Sequence, residues 1–285
     1  MRVIVLGASG MLGSAVFRGL SASDSLSVFG TVRSIRGLES FDKSMKDRLI
    51  SGVDVLDSDS LIELFRNVAP DVVVNCVGLV KQLSSAKDPL STLPVNSMLP
   101  HRLSKICALS NSRLIHISTD CVFSGRKGMY LESDISDAED LYGKSKFIGE
   151  VIDQQHAVTL RTSIIGHELN SQSSLIDWFL SQTGPVKGYS RAIFSGVPTV
   201  ELTRIILEYV IPNPELHGLY HVSAEPIDKY SLLKLVSNVY QKTVDIQPNE
   251  ELVIDRSLNS NRFRSATGYT PPSWPALIEK MHSQC

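Results

Sequence analysis

The chain opens on an apolar run, Val3-Ile4-Val5-Leu6, that stops at a glycine. Similar short runs rich in β-branched residues recur through the first 163 residues. They predict strands over 2–6, 27–32, 52–55, 71–76, 113–118 and 158–161. Several lack the apolar/polar alternation of a half-exposed sheet, so both faces are expected to be covered, as in a parallel sheet. Between the runs, apolar positions at helical spacing predict helices over 11–22, 58–67, 90–110 and 141–155. Asp57 or Ser58 is a capping residue for the second. Pro94 and Pro100 should kink or divide the third. Strand–helix alternation of this kind predicts a doubly wound α/β sheet.

After about Ser163 the regularity fades. A polar loop over 167–174 precedes a helix carrying Trp178. A basic segment follows, Lys187-Gly188-Tyr189-Ser190-Arg191, and then helices are predicted over 200–209, 229–240 and 275–283. The expected organisation is a nucleotide-binding domain over 1–163 and a smaller lobe over 164–285, interleaved with it.

Composition narrows the classes. Of 285 residues, 42% are apolar and 20% charged, which excludes disordered and fibrous chains. Net charge is -2, so no global positive field is present to hold a nucleic acid. No apolar run approaches the roughly 18 residues of a membrane span, and the first run is too short for a signal peptide core. The four cysteines, Cys76, Cys107, Cys121 and Cys285, show no C-x-x-C spacing, which points to reduced thiols and a cytoplasmic protein. No His/Cys/Asp/Glu grouping has metal-ligand spacing, and no metal is expected.

The first strand runs into Gly7-Ala8-Ser9-Gly10-Met11-Leu12-Gly13. Gly7 permits a tight turn, Gly10 lets backbone approach a pyrophosphate, and Gly13 lets the helix pack on the sheet. Ser9, Met11 and Leu12 fall at the helix start, where free N–H groups attract an anion. About twenty residues on, where an NAD-binding fold usually carries an acid, stands Arg33, followed by Ser34 and Arg36. A guanidinium pairs with a 2′-phosphate that a carboxylate would repel, so NADP(H) is favoured over NAD(H). Asp54 is either an acceptor for the adenine amino group or a turn residue.

Tyr142-Gly143-Lys144-Ser145-Lys146 is a Tyr-x-x-x-Lys. On a helix the two side chains share a face. A neighbouring ammonium is expected to lower the phenol's pKa from about 10, leaving Tyr142 able to act as general acid in ketone reduction. Lys146 would also hold the nicotinamide ribose. At the end of the fifth strand, Ser118 and Thr119 compete to hydrogen-bond the substrate oxygen.

These residues resemble the extended short-chain dehydrogenase/reductase superfamily, and within it the dTDP-4-dehydrorhamnose reductase family. The likeness rests on Gly7-x-x-Gly10-x-x-Gly13, Val95-Asn96, Ser118-Thr119-Asp120-Cys121-Val122-Phe123-Ser124-Gly125, the tyrosine–lysine segment, and Leu160-Arg161-Thr162-Ser163. It implies a Rossmann-type domain with a smaller C-terminal substrate-binding lobe, a nicotinamide cofactor, and Thr119 rather than Ser118 as the third catalytic group. It also implies that Asp54 and Val55 approach adenine, that Cys76, Val77 and Gly78 line the cofactor, and that Thr162 and Ser163 lie near the nicotinamide. Val122 and Phe123 would border the substrate. A homodimer is compatible with the family.

Departures matter. The family often has tyrosine where Cys121 stands, and related dehydratases have a glutamate there that removes the C5 proton. With cysteine in that slot, dehydration is disfavoured. The segments Gly78-Leu79-Val80-Lys81-Gln82-Leu83 and Gly166-His167-Glu168-Leu169-Asn170 also depart from the commoner pattern. They look more like a subgroup handling UDP-linked 2-acetamido-2,6-dideoxy-4-keto sugars. Lys81 is either a sugar or diphosphate contact or a solvated loop lysine. Trp178 is a nucleobase platform or a core anchor. Arg191, Arg256 and Arg262 are candidates for a diphosphate clamp. His167 is a weaker substrate candidate, and His116 reads as a core histidine.

The expected activity is NADPH-dependent reduction of the C4 ketone of a nucleotide-linked 4-keto-6-deoxyhexose, for surface polysaccharide. Two rival readings are an epimerase that retains NAD, and a non-catalytic regulatory subunit like the methionine adenosyltransferase β subunit. The latter should show an eroded tyrosine–lysine pair.

Overall fold

A computed structural model describes residues 1–81, 84–169 and 172–284. Gln82, Leu83 and Asn170 of the two departing segments lie outside the described residues, as does Cys285. Seven strands form one parallel sheet: β1 Arg2–Leu6, β2 Ser27–Val32, β3 Leu49–Ser51, β4 Val72–Asn75, β5 Arg113–Thr119, β6 Ala157–Thr162 and β7 Gly218–His221. Their order across the sheet is β7-β6-β5-β4-β1-β2-β3, so the chain reverses direction of winding between β1 and β4. In such sheets the crevice at the strand C-termini beside that reversal receives the ligand.

Strand alternation sends neighbours to opposite faces. Val3, Val5, Val72, Val74, Ile115 and Ile117 face one apolar layer, with Val16, Phe17 and Leu20 of the Met11–Ser21 helix. Ile4, Leu6, Val73 and Leu114 face the other, with Leu61, Leu64, Leu99 and Leu103. Both faces are therefore dry, which explains the unbroken apolar runs of β1 and β4. The first layer continues into the C-terminal half, through Leu202, Ile205, Leu277 and Ile278. Gly19 is what lets the Met11–Ser21 and Thr199–Ile205 helices touch: a Cβ there would stand 2.4 Å from Thr203 Cγ2.

Two sequence expectations need correction, one strand escaped them, and one division is as expected. The third strand is 49–51, not 52–55. Gly52 turns the chain with φ of 80°, and Val53 and Val55 pack on the core from the turn that follows. β7 was not anticipated; it comes from four residues of the C-terminal half, fully buried beside β6. The stretch 90–110 is divided, as the prolines require, into Pro89–Thr92, a π-helical turn Leu93–Met98, and Leu99–Leu109. The helix expected to reach Gln155 stops at Ile148, because Gly149 passes so close to the π turn that a Cβ would lie 2.0 Å from the Asn96 carbonyl oxygen.

The C-terminal half adds short pairings. Ala192–Phe194 is flanked by Ile227–Asp228 and Ile254–Asp255, and Val186–Tyr189 pairs with Ile246–Asn249. Helix Asn261–Thr267 was not foreseen; it ends at Gly268, whose φ is 75°. Among the described residues no helix is long and apolar enough to cross a membrane.

Candidate active site

The glycine turn is built as its spacing requires. Gly7 has φ of 81°, and its N–H donates to Thr31 Oγ1 at 3.2 Å. The Gly10 N–H donates to the Gly7 carbonyl at 3.0 Å. A Cβ on Gly13 would stand 2.0 Å from that same carbonyl oxygen, so no other residue fits. Gly10 opens the Met11–Ser21 helix with no side-chain cap and no acid in the first turn. Its first N–H groups are thus left to an anion. Ser9 and Met11 are half-buried, and Leu12 is core. Arg33 and Ser34 are exposed just beyond Val32. The turn that follows them folds back over Ser9, with a Cβ on Gly37 reaching 3.5 Å from Ser9 Cβ.

Asp54 stands in the turn after Gly52. Its Oδ1 accepts the Leu56 N–H at 2.9 Å, and the side chain is exposed; Val55 packs on the core. Beyond β4, Cys76 donates its N–H to Leu6, and Val77 lies against Gly7. Gly78 is exposed, and a Cβ there would lie 4.0 Å from Lys146 Nζ. The Cys76–Val77–Gly78 stretch thus bridges the glycine turn and Lys146.

Thr119 ends β5 beside Thr162, its register partner on β6. Its hydroxyl accepts the Cys121 N–H at 3.2 Å, donates to Asp120 Oδ1 at 3.2 Å, and lies close enough to the Tyr142 phenol to act on it. Tyr142 enters on the first turn of the Leu141–Ile148 helix, capped by Asp140, which accepts the Gly143 N–H at 2.8 Å. Gly143 allows that helix onto the Thr119 loop: a Cβ there would stand 2.2 Å from the Cys121 carbonyl oxygen. One turn on, buried Lys146 donates to the Ile117 carbonyl at 2.8 Å. The three side chains expected to work together are therefore adjacent.

Their electrostatics correct one expectation. Burial, and then the nearby Cys121, push the Tyr142 phenol above its ordinary value rather than below it. Lys146 itself is lowered to about 8, chiefly by burial, with Glu150 and Cys76 opposing. Burial also raises Asp120, against the pull of Arg256 and hydrogen bonds from Thr119, Cys121 and Ser163.

On the substrate side the expectations divide. Arg256 reaches the site, its Nε donating to the Phe123 carbonyl at 2.8 Å and its Nη1 lying 3.6 Å from Cys121 Sγ. Lys81 lies at the rim, its Nζ 2.5 Å from Asp140 Oδ2. The side chains of Val122 and Phe123, expected at the substrate, turn into the core instead. Both are fully buried, packed with Tyr130 and Leu258, and Phe123 stacks on Tyr130 at 4.0 Å. Trp178 is no core anchor; it is 38% exposed on the Leu175–Ser181 helix. Arg191 is exposed in the turn before Ala192–Phe194, and Arg262 covers the Tyr220 ring at 4.7 Å. His167 has both ring nitrogens engaged, with Asp177 at 2.6 Å and Tyr240 at 2.8 Å. His116 is core, its Nδ1 3.1 Å from the Asn75 amide.

Lys229 escaped the sequence reading. It begins the Lys229–Val239 helix and lies close enough to Asp120, Cys121 and Arg256 to feel each of them. No motif marks it; an aspartate cap followed by lysine is ordinary helix-start chemistry. The buried Glu150–Arg161 pair behind Thr119 was equally invisible as a pair.

The chain matches, over residues 1–281, the family described as RmlD substrate binding domain. It is 26% identical over 312 residues to methionine adenosyltransferase 2 subunit beta of Mus musculus, covering 99% of this chain and 90% of that protein. It is 23% identical over 257 residues to dTDP-4-dehydrorhamnose reductase of Aggregatibacter actinomycetemcomitans, covering 82% of this chain and 87% of that one. The crystal structure of dTDP-4-dehydrorhamnose reductase from Bacillus anthracis in complex with NADP superposes with a TM-score of 0.79 at 20% identity, over 99% of both chains. A family match across nearly the whole length, on a seven-stranded parallel sheet of the same fold, makes this chain a member of the RmlD-like family of extended short-chain dehydrogenases/reductases.

Proposed function

We propose that the protein is a cytoplasmic NADPH-dependent reductase of the C4 ketone in a nucleotide-linked 4-keto-6-deoxyhexose, serving surface polysaccharide synthesis. A dTDP-4-keto sugar and a UDP-linked 2-acetamido sugar both fit the reading. What carries it is the convergence of the Thr119 hydroxyl, the Tyr142 phenol and Lys146 beside the glycine turn. The residues suit a dinucleotide: the helix start offers uncapped N–H groups, and Arg33 stands free of any ion pair among the described residues, where a 2′-phosphate would lie. Bound there, a reduced nicotinamide supplies hydride.

The chain's own groups do the rest. Thr119 and Tyr142 donate hydrogen bonds to the ketone oxygen and orient it. Burial keeps Tyr142 protonated through neutral pH, so the phenol holds the proton that the nascent alkoxide needs. Lys146 offsets the phenolate that remains and holds a ribose hydroxyl. Arg256 and Lys229 present positive charge to the anionic part of the substrate.

The test is incubation with NADPH and a panel of dTDP- and UDP-4-keto-6-deoxy sugars, followed by nicotinamide absorbance. Tyr142→Phe should lower turnover by orders of magnitude while NADPH still binds. Unchanged turnover in that variant defeats the catalytic assignment.

A second reading draws on the likeness to methionine adenosyltransferase 2 subunit beta, whose name makes it a subunit of another enzyme. It predicts no turnover on the whole panel together with a stable complex with a synthetase. Against it stands the closeness of Tyr142 to Thr119 and the buried Lys146, none of which a purely scaffolding role requires.

A further inference from the structure

We infer that Glu150 is a positioning residue for Lys146, acting through a buried carboxylate that is locked in place by Arg161 and Ser118. The inference rests on the catalytic reading of Lys146 given above. Glu150 follows Lys146 by four residues, and both side chains dock on consecutive residues of β5. Lys146 Nζ donates to the Ile117 carbonyl at 2.8 Å, and the Ser118 hydroxyl donates to Glu150 Oε1 at 2.7 Å. The carboxylate and the ammonium are thus each tied to one strand, at consecutive residues.

Nothing in this arrangement is left loose. Arg161 on β6 grips the carboxylate with both ends of its guanidinium, Nε to Oε1 at 2.9 Å and Nη2 to Oε2 at 2.6 Å. Its remaining nitrogen, Nη1, lies 2.9 Å from His221 Nε2, and its flat face covers the Phe123 ring at 4.9 Å. Glu150 is 7% exposed and Arg161 2%. A pair this dry costs much of its own attraction in lost hydration, so stability alone is a poor account of it. An account that fits better is electrostatic. The ionisable groups acting on Lys146 from its surroundings are Glu150, just past the end of its helix, and Cys76 beyond β4, while His116 on β5 feels Lys146 in turn. Of these, Glu150 is the one held as the partner of a guanidinium, while burial raises the Cys76 thiol to about 12 and keeps His116 neutral. Burial strips charge from Lys146, and Glu150 restores part of it.

The measurement is the pH midpoint of Lys146 acetylation by acetic anhydride in the cofactor-free protein, read at that residue by mass spectrometry. Wild type should give a midpoint near 8. Glu150→Gln should lower it by about one pH unit, the usual effect of losing an adjacent opposite charge. Glu150→Asp, which retains the charge, should restore it. Glu150→Gln leaves Arg161 buried without its partner, so Glu150→Gln/Arg161→Met provides a folded variant with neither charge, and it should show the same lowering. A midpoint that stays at the wild-type value in both neutralised variants overturns the inference. The readout needs no turnover. A shifted midpoint with no reduction of any keto sugar therefore refutes the proposed activity while leaving the Glu150–Lys146 coupling standing.

Discussion

At the scale of single residues, two cations decide what can be tested first. Lys146 is depressed to about 8, so it carries charge below that value and loses it as pH rises through it. The phenol of Tyr142 is raised, so it keeps its proton throughout the same range. An alkaline limb in kcat/KM therefore belongs to the lysine: reduction should fall tenfold per pH unit above about 8. A profile flat to pH 10 contradicts this. Arg33 poses a separate question. If it pairs with a 2′-phosphate, Arg33→Ala should weaken NADPH binding by roughly 10- to 100-fold, the worth of one or two charge-assisted hydrogen bonds, and leave NADH unchanged. Fluorescence titration with both nucleotides separates the outcomes, and equal loss for the two assigns Arg33 a structural role.

At the scale of elements, the glycine turn makes the strongest prediction, because two of its glycines differ in kind. A Cβ on Gly13 meets backbone at 2.0 Å, which cannot move without opening the turn, whereas a Cβ on Gly10 meets its nearest atom at 3.5 Å, an ordinary contact. Gly13→Ala should destabilise the fold by about 1–3 kcal/mol in urea titration and abolish NADPH binding. Gly10→Ala should leave the urea midpoint in place yet still weaken NADPH, since the methyl stands where a pyrophosphate approaches. Legibility follows the same division between local and distant causes. β1 and β4 were readable because burial on both faces writes an unbroken apolar run. β3 was misplaced because Gly52-Val53-Asp54-Val55 alternates like a strand, although Gly52 and the Asp54–Leu56 bond make it a turn. β7, Gly218-Leu219-Tyr220-His221, carries no β-branched residue and is defined by its neighbour β6. The Thr119, Tyr142 and Lys146 cluster was legible because a helical repeat and a strand end bring it together locally. The substrate side was not. Phe123 and Arg256 meet across 133 residues, and nothing near either one announces that Phe123 turns inward while Arg256 reaches Cys121.

At the scale of the whole molecule, the N- and C-terminal halves are joined through buried polar groups as well as apolar ones, and this sets the response to acid. His221, on the strand contributed by the C-terminal half, has its Nδ1 3.0 Å from the Tyr130 carbonyl and its Nε2 2.9 Å from Arg161 Nη1. A carbonyl and a guanidinium together require a neutral ring, protonated at Nδ1 and accepting at Nε2. Burial and the Arg161 charge accordingly lower His221 to about 3. His116 is lowered as well, chiefly by burial. An unfolded histidine titrates near 6.5, so below that value the unfolded chain binds protons that the native protein refuses. The contribution of the two neutral rings is complete above about pH 6.5 and drains away as pH falls toward the native values. Each refused proton is worth about 1.4 kcal/mol per pH unit. Between pH 6 and 4.5, above the range in which Asp134, Asp137 and Asp140 accept protons, the urea midpoint should therefore fall with a slope of at most two protons, reduced by what the raised Asp120 carboxyl takes up in the native state. His221→Gln and His116→Gln should each be less stable than wild type at pH 7, yet each should flatten the slope by about one proton. A slope that neither substitution changes would place the acid sensitivity elsewhere and leave the His221–Arg161 contact without a role in joining the two halves.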